Sequence, residues 1–354
     1  MAYLALSTAN LPDPVIDPAQ GASPEDHFNT VLWTGDGTSG RSITTGHQPD
    51  FVWTKERNSA INHIAQNSIS GTGLYLHPNT TAAEQSATTL ITSFDSNGFT
   101  VGNSGSINGS SDTYVAWSWK ANGSGVTNTD GSITSTVSAN TTSGFSIVSY
   151  SGNGTAGATV GHGLNQKLEL FILKARNGVR EWPVYSETLG ATKFLLLNGT
   201  NAATTAVQPF NNTEPTNQVF TVGSSNSAND SSLNYIAYCF HSVEGFSKCG
   251  SYVGNGSTDG PFVYTGFQVK WVMYKRTDSA GDWSILDTER STYNVADDYL
   301  YPHSSAAEAS GAYQTDFLSN GFKLRGTNTQ NNASGGTYIY MAFAENPFKY
   351  SNAR

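Results

Sequence analysis

Four short sequence signals recur three times in the same order along this chain. Glycine-rich turns come first, followed by strand-like segments that end in lysine, then Phe-x-x-Gly turns, then a closing strand. The turns are TGDG (34–37), SGNG (151–154) and VGNG (253–256), and the lysine segments end at Lys55, Lys174 and Lys275. The Phe-x-x-Gly signals are FTVG (99–102), FTVG (220–223) and the one-residue-longer FKLRG (322–326), and the closing strands lie at 113–120, 234–241 and 337–344. This repetition predicts three copies of one structural unit.

The composition suits three units that fold without disulfide or metal support. The chain has 354 residues, and about 100 residues per unit can bury a core. Charged residues are only 13%, aromatic residues are 12%, and the net charge is −9. The acid excess and the lack of a Lys/Arg cluster argue against a nucleic acid partner. No run of about 18 apolar residues exists, so we predict no membrane insertion, and the N-terminus lacks the pattern of a signal peptide.

The repeats divide the chain into six segments. They are an extended Pro-rich N-terminal arm (1–27), β-sandwich repeat 1 (28–123), a Ser/Thr/Gly linker (124–143), repeat 2 (144–245), repeat 3 (246–346) and a C-terminal tail (347–354). The linker has no hydrophobic periodicity, which predicts a flexible or surface-hugging spacer and a first unit that can swing. Prolines 12, 14 and 18 make the arm extended. It is either an anchor for another protein or a leader strapped to the first unit.

The closing strands alternate with period two. Val115, Trp117 and Trp119 share one face, and the same large-residue pattern recurs in the other two closing strands. Such alternation predicts a strand with one face in a core. The only helical signals are TAAEQS (81–86) and SAAEAS (305–310), each sufficient for one turn. The fold class we predict is all-β, with three tandem antiparallel β-sandwich repeats of jelly-roll or lectin-like type.

No pattern of acidic residues indicates a catalytic site. The local carboxylate pairs are Asp297 with Asp298 and Glu181 with Glu187, and neither pair recurs between units. A pair assembled from distant strands stays open as an alternative. The turn NGSTDG (255–260) could hold calcium, although turn-forming Asp is commoner. We therefore predict no catalytic residues, no cofactor and no metal site.

The histidines and cysteines also point to structural roles. No histidine pair has metal-ligand spacing. His47 and His162 precede the same strand in two units, as turn histidines would. His77 and His303 are also matched, which predicts a polar contact inside each unit. Cys239 takes the place of Ser118 and Ala342 in the sister repeats, which predicts a small buried position. The residue Cys249 has the pattern of a small hydrophobe, and a 239–249 disulfide is the minor alternative.

Two matched tryptophans are the only site residues that the sequence offers. Trp182 and Trp283 occupy equivalent positions in repeats 2 and 3. Exposed aromatic rings on the rim of a β-sandwich can stack on sugars, so both residues are candidates for glycan contact. Because they recur with the fold, core packing is the favoured interpretation.

The chain resembles a family of uncharacterised tail and virion proteins of marine bacteriophages. The resemblance covers nearly the whole chain, from about 28 to 350. It is carried by segments at 28–37, 48–55, 94–102, 113–123, 144–164, 181–200, 245–267 and 335–350. It implies a virion component with lectin-like or jelly-roll β domains, and it supplies no catalytic or binding residues. One departure is NHIAQ (62–66), where the sister repeats have a Trp-centred segment.

These observations predict a bacteriophage virion structural protein, with a tail fibre or tail-tip adhesin as the favoured form. Its partners would be other virion proteins through the arm, a host surface glycan, and copies of itself in a trimer. Three tandem units could also mimic a trimer within one chain. The expected location is the virion, on the tail rather than the capsid surface. The alternatives are a capsid decoration or head-fibre protein and a polysaccharide depolymerase.

Overall fold

The computed structural model describes residues 8–351 and is all-β, with strands paired in antiparallel sheets. Unit 1 contains β1 (Phe28–Thr34), β2 (Arg41–Thr44), β3 (Phe51–Glu56), β4 (Ile64–Asn67), β5 (Leu74–Tyr75), β6 (Gln85–Ser86), β7 (Ile91–Asp95), β8 (Gly98–Val101), the single turn α1 (Gly105–Asn108) and β9 (Thr113–Trp119). The linker contains β10 (Val126–Asn128) and β11 (Ser135–Asn140). Unit 2 contains β12 (Phe145–Ser151), β13 (Ala158–Gly161), β14 (Leu170–Ala175), β15 (Pro183–Ser186), β16 (Lys193–Leu196), β17 (Thr204–Thr205), β18 (Val219–Val222) and β19 (Asn234–Phe240). Unit 3 contains β20 (Ser247–Val253), β21 (Phe262–Tyr264), β22 (Phe267–Arg276), β23 (Trp283–Asp287), β24 (Thr315–Leu318), β25 (Gly321–Leu324), the turn α2 (Thr329–Asn332) and β26 (Thr337–Pro347).

The same strand pairing occurs in all three units. The main sheets contain β1-β9-β3-β4, β12-β19-β14-β15 and β20-β26-β22-β23, in these orders. A smaller sheet accompanies each one: β2-β8-β7, β13-β18 and β21-β25-β24. The closing strand of each unit is therefore a central strand, flanked by the first strand and the lysine strand. The sequence repeat corresponds to a repeat of topology, and the prediction of an all-β antiparallel chain is confirmed.

Each closing strand is buried on both faces, so the prediction of one buried face was incomplete. In β9, Val115, Trp117 and Trp119 belong to a hydrophobic cluster shared by the whole chain. On the opposite face, Tyr114 and Ala116 belong to a separate cluster confined to unit 1. The strands β19 and β26 divide in the same way between the shared cluster and a cluster of their own unit.

The shared cluster, which we call the common core, joins the three units through aromatic rings. Phe28 of unit 1 stacks on Phe343 of unit 3 with centroids 4.6 Å apart, and Phe51 stacks on Tyr238 of unit 2 at 4.1 Å. Trp119 meets Trp271 edge to face at 5.9 Å. Because all three main sheets bury one face here, no unit can leave without exposing a large apolar surface.

Backbone hydrogen bonds close the units into a ring. A segment of each unit donates to a backbone carbonyl of the next unit, two residues after the recurring lysine. Unit 3 donates back to unit 1 in the same way. The three bonds are Glu84 N–H to Arg176 O at 2.6 Å, Ala203 N–H to Thr277 O at 2.9 Å and Glu308 N–H to Arg57 O at 2.8 Å. A head-to-tail contact that closes after three copies is the geometry of a trimer. Here one chain contains it.

Two segments predicted to form helical turns form these inter-unit contacts instead. Neither 81–84 nor 305–308 is helical. Their glutamates reach across the seams, where Glu84 pairs with Arg176 at 2.8 Å and Glu308 with Arg57 at 2.6 Å. The hydroxyl of Thr80 accepts a hydrogen bond from a backbone amide, as a helix cap would. This local stabilisation is weaker than the ion pairs and backbone hydrogen bonds across the seams, so no helical turn forms.

The linker is not a flexible spacer. Its strands β10 and β11 extend the main sheet of unit 2, and β11 pairs with β12 along Ser135–Asn140. Serine and threonine alternate with Ile133 and Val137, both of which are buried in the core of unit 2. Because few large apolar residues mark this hairpin, its strand period is hard to see in the sequence. With unit 1 packed into the common core, the predicted swing of that unit is also wrong.

The described part of the N-terminal arm is folded against the body rather than extended from it. It contains the 3₁₀ turns Thr8–Asn10, Pro18–Gln20 and Pro24–Asp26, and residues 1–7 lie outside the described residues. Ile16 is fully buried in the common core. Pro18 and Pro24 begin two of these turns, with Asp17 and Ser23 as N-caps. This agrees with a strapped leader, although the segment contacts more than the first unit. No helix among residues 8–351 is long and apolar enough to span a membrane.

Candidate functional site

The recurring glycine and Phe-x-x-Gly signals meet at a buried asparagine. In unit 2, Asn229 donates from Nδ2 to Asn153 Oδ1 at 3.2 Å, to Thr155 O at 2.8 Å and to Gly223 O at 3.2 Å. Its Oδ1 accepts from the backbone N–H of Asn153 at 2.8 Å. The side chain therefore ties the first turn of the unit to the end of the Phe-x-x-Gly turn. The equivalent residues are Asn108 and Asn332.

A tyrosine in each closing strand completes the same junction. Tyr235 Oη accepts from Asp230 N–H at 2.7 Å and donates to Asn226 O at 2.8 Å. Its ring stacks on Tyr150 with centroids 5.2 Å apart. The counterparts are Tyr114 and Tyr338, which make matching bonds. The most regular motifs of the sequence therefore carry structure rather than chemistry.

Three buried lysines mark the lysine strands. Lys55, Lys174 and Lys275 are at most 1% exposed, and their amines donate only to backbone carbonyls among the described contacts. Two of them cross the seams, Lys174 to Thr81 O at 2.8 Å and Lys275 to Thr200 O at 3.3 Å. Burial lowers the pKa of each amine to about 8.

Because of these three lysines, we expect the free energy of unfolding to increase at alkaline pH. Each folded-state pKa lies near 8, below the ordinary value of 10.5, so the unfolded chain binds more protons between these values. The free energy of unfolding should therefore rise from pH 7.5 to 9, by roughly 1 kcal/mol per lysine. The thiols of Cys239 and Cys249, whose pKa values burial raises, oppose this trend with a smaller contribution.

Urea unfolding at both pH values measures this effect. The control variant Lys174→Met should lose about one third of the rise, because one of the three amines is gone. A free energy of unfolding that is flat or falls between pH 7.5 and 9 in the natural chain would contradict the prediction.

Trp182 and Trp283 are core residues, which rules out the alternative of glycan contact. Each is 1% exposed and lies in the common core. Each indole donates across a seam, Trp182 to Thr80 O at 2.9 Å and Trp283 to Leu196 O at 2.8 Å. In unit 1, His63 occupies the equivalent place and contacts the carbonyl of a unit 3 residue through Nε2 at 3.0 Å. The sequence difference at 62–66 therefore places a histidine where the sister units have a tryptophan, and the histidine has the same structural role.

The matched histidines lie in polar contacts of the fold. His47 Nδ1 contacts Glu25 O at 2.6 Å, and His162 Nε2 contacts Thr216 O at 3.3 Å. Burial lowers the pKa of both to about 4. His77 contacts the backbone of its own unit, and His303 Nε2 lies 3.2 Å from Asp282 Oδ1.

Neither cysteine forms a disulfide. Cys239 is buried and Cys249 is partly buried, and both are free. Burial raises the pKa of both thiols, which disfavours the reactive thiolate. These positions agree with a small buried residue and a small hydrophobe.

The acidic candidates Glu181, Glu187 and Asp298 bond to neighbouring side chains. Glu181 and Glu187 lie beyond opposite ends of β15, and Glu187 pairs with Lys167 at 2.8 Å. Asp298 accepts from Ser291 Oγ at 3.1 Å. Asp259, in the turn considered for calcium, pairs with Lys323 at 2.6 Å. Within residues 8–351, no group of three His, Cys, Asp or Glu side chains is arranged to hold a metal ion.

A polar cleft lies between the arm, the linker and unit 2. Its volume is about 390 Å³, and Val15, Glu169, Glu187 and His241 line it. Glu169 accepts a short hydrogen bond from Ser242, and its backbone carbonyl accepts from Glu187 N–H at 2.8 Å. The cleft can receive a small polar ligand, but both carboxylates are already engaged with neighbours.

The outer strand of the small sheet differs between the units. In unit 2, residues of the linker cover β13: Ile133 N–H donates to Thr159 O at 2.9 Å, and Ile133 bridges Val160 in parallel. Among the described residues, no strand or bridge covers the free edge of β2 or β21. An uncovered edge strand is open to a partner.

Unit 3 alone has aromatic side chains on this outer strand. Phe262 and Tyr264 are 45% and 54% exposed, while Val263 between them is buried. We call this pair the aromatic edge. Phe99 of unit 1 and Phe322 of unit 3 occupy equivalent places in the strand registers of the two small sheets. The positions of the aromatic edge therefore correspond to Ser42 and Thr44 of unit 1. The sequence analysis missed it, although the alternation in PFVYTG (261–266) and its contrast with the sister repeats were visible.

Comparison with known proteins gives a family but no activity. Residues 23–347 match a family described as a domain of unknown function, DUF7483. No curated protein matches the chain.

Proposed function

The chain belongs to the DUF7483 family, whose function is unknown, and we propose from its own surfaces that it is a bacteriophage virion structural protein, in the form of a tail fibre or tail-tip adhesin. The resemblance of its segments to marine phage virion proteins supports the phage origin. We further propose that each unit corresponds to a jelly-roll or lectin-like β-sandwich, in which a main sheet faces a small one.

The observation that carries the proposal is the closed ring around the common core. The recurring lysines and asparagines and the two matched tryptophans hold this scaffold together, as the contacts of Lys174, Asn229 and Trp182 illustrate. What remains for function is the outer surface, where loops and edge strands differ between units. Rigid display of variable surfaces is suited to binding rather than to a reaction.

The ring also bears on the proposed partners. A symmetric homo-oligomer, with a trimer favoured, stays our proposal for assembly, but the chain contains three-fold geometry without it. The folded arm exposes Val15 beside the cleft, and we assign this surface to contact with other virion proteins. The second candidate, a capsid decoration protein, is favoured by the same ring, because a three-fold unit fits the local three-fold positions of a shell.

Electron microscopy of whole virions with gold-labelled antibody against unit 3 tests the proposal. We expect gold on the tail or its fibres. Gold spread evenly over the head would overturn the adhesin proposal and favour capsid decoration. Soluble sugar released from host polysaccharide, and lost in Glu169→Gln, would instead favour the depolymerase alternative and assign the polar cleft as its site.

A further inference from the structure

We propose that the aromatic edge of unit 3, formed by Phe262 and Tyr264, is a carbohydrate-binding platform that stacks on sugar rings of a host surface polysaccharide. This inference rests on the proposed adhesin function and names its ligand class and residues. The two side chains stand two residues apart on β21 and are therefore on the same face of the strand. Residues at this spacing lie roughly 6–7 Å apart, close to the length of one sugar unit.

Both rings lie over glycines, which leaves room for them to lie against the backbone. A Cβ atom at Gly321 would be 3.0 Å from the ring of Phe262, and one at Gly266 would be 3.6 Å from Tyr264 Oη. Gly321 is also required by the close approach of Val263 O, at 2.2 Å from the same Cβ position. Both side chains are nevertheless about half exposed, and flat apolar ring faces stack on the C–H faces of sugars.

Polar groups surround the rings, as recognition of hydroxyl groups requires. Lys248 Nζ lies 5.3 Å from the centroid of Tyr264 and donates to its backbone carbonyl at 3.2 Å. Lys323, opposite Phe262 in the register, pairs with Asp259, whose side chain is 84% exposed. Aromatic faces beside charged donors and acceptors fit a sugar better than a purely apolar partner.

Comparison with unit 1 indicates that the fold does not require this aromatic surface. At the same register positions, unit 1 has Ser42 and Thr44, which are exposed. The outer strand therefore forms without aromatic residues. Two exposed aromatic side chains on an open edge are a liability for aggregation, and their presence in one unit alone calls for a ligand.

The test exchanges these residues between units. In Phe262→Ser/Tyr264→Thr, unit 3 takes the edge of unit 1, so we expect a folded protein. In Ser42→Phe/Thr44→Tyr, unit 1 gains the aromatic pair. The full-length proteins are applied to an array of bacterial lipopolysaccharides, capsular polysaccharides and oligosaccharides of glucose, galactose, N-acetylglucosamine and glucuronic acid.

We expect the natural chain to bind a subset of these glycans, the first variant to bind at least about tenfold more weakly, and the second to gain binding to the same subset. Tyr293→Ser, which removes an 84% exposed aromatic ring elsewhere, is the control and should bind as the natural chain does. Equal binding by the first variant, or no binding by any form, would overturn the platform.

Two further outcomes separate this inference from the adhesin proposal. Gold on the tail together with no glycan binding would leave the adhesin proposal intact and refute only the platform. A synthetic peptide of residues 128–137 contains the segment that covers β13. If the protein binds this peptide and no glycan, the edge is a site for an extended protein segment, and the carbohydrate assignment is overturned.

Discussion

Replacing Trp271 with alanine is expected to lower the free energy of unfolding by about 3–5 kcal/mol and to destabilise all three units together. The indole is fully buried, with centroids 6.4 Å from Trp117, 5.9 Å from Trp119 and 5.8 Å from Phe343. The first two belong to unit 1 and the third to unit 3. A cavity at this point removes contacts that no single unit can restore by local repacking.

Guanidinium unfolding, followed in parallel by circular dichroism and limited proteolysis, measures the effect. Cleavage sites in all three units should become accessible at the same denaturant concentration. Tyr293→Ala is the matched control, because that ring is 84% exposed and its loss should change the stability by less than about 0.5 kcal/mol. Cleavage confined to unit 3 of the Trp271→Ala variant would refute a single cooperative core.

Replacing Asn229 with alanine should cost about 3 kcal/mol or more, a large effect for one polar residue. The change leaves the carbonyls of Thr155 and Gly223 and the N–H of Asn153 without their partner in a buried junction. Each unsatisfied buried group costs about 1–3 kcal/mol. Asn229→Asp should also destabilise, because a carboxylate in place of the amide donor would face these carbonyls.

Thermal unfolding of these variants beside Asn217→Ala gives the comparison. Asn217 is exposed, and no side-chain hydrogen bond anchors it in the described contacts, so its loss should be nearly neutral. Asn108→Ala and Asn332→Ala should repeat the loss in their own units. A melting temperature unchanged in all three would mean that the asparagine junctions do not contribute to stability.

The linker and the segment 81–86 illustrate what local patterns cannot predict. The linker around Ile133 contains small polar residues that suit either a loop or an edge strand, and pairing of β11 with β12 selects the strand. The segment at 81–86 has the residues of a helical turn, but its glutamate is satisfied by Arg176 of the next unit. In both places the deciding partner lies far away in the sequence.

The candidate site divides in the same way. The sequence offered Trp182 and Trp283 because they recur, and recurrence proved to be a property of the core rather than of a surface. The aromatic edge was visible as a departure from the repeat in PFVYTG. However, its exposure depends on which edge the linker covers, and that is a feature of the assembled units.

The sequence by itself determined the three-fold repeat, the strand-and-turn composition and the residues of the closing strands, because periodicity, glycine turns and apolar alternation are local properties. Only the tertiary structure decided that the three units share one core and close into a ring. Burial of Trp117, Tyr238 and Met341 in one cluster brings together residues more than 100 positions apart in the chain. No local pattern predicts which unit a strand face packs against, because an aromatic strand face has the same sequence pattern whether it packs within its own unit or against a neighbouring one.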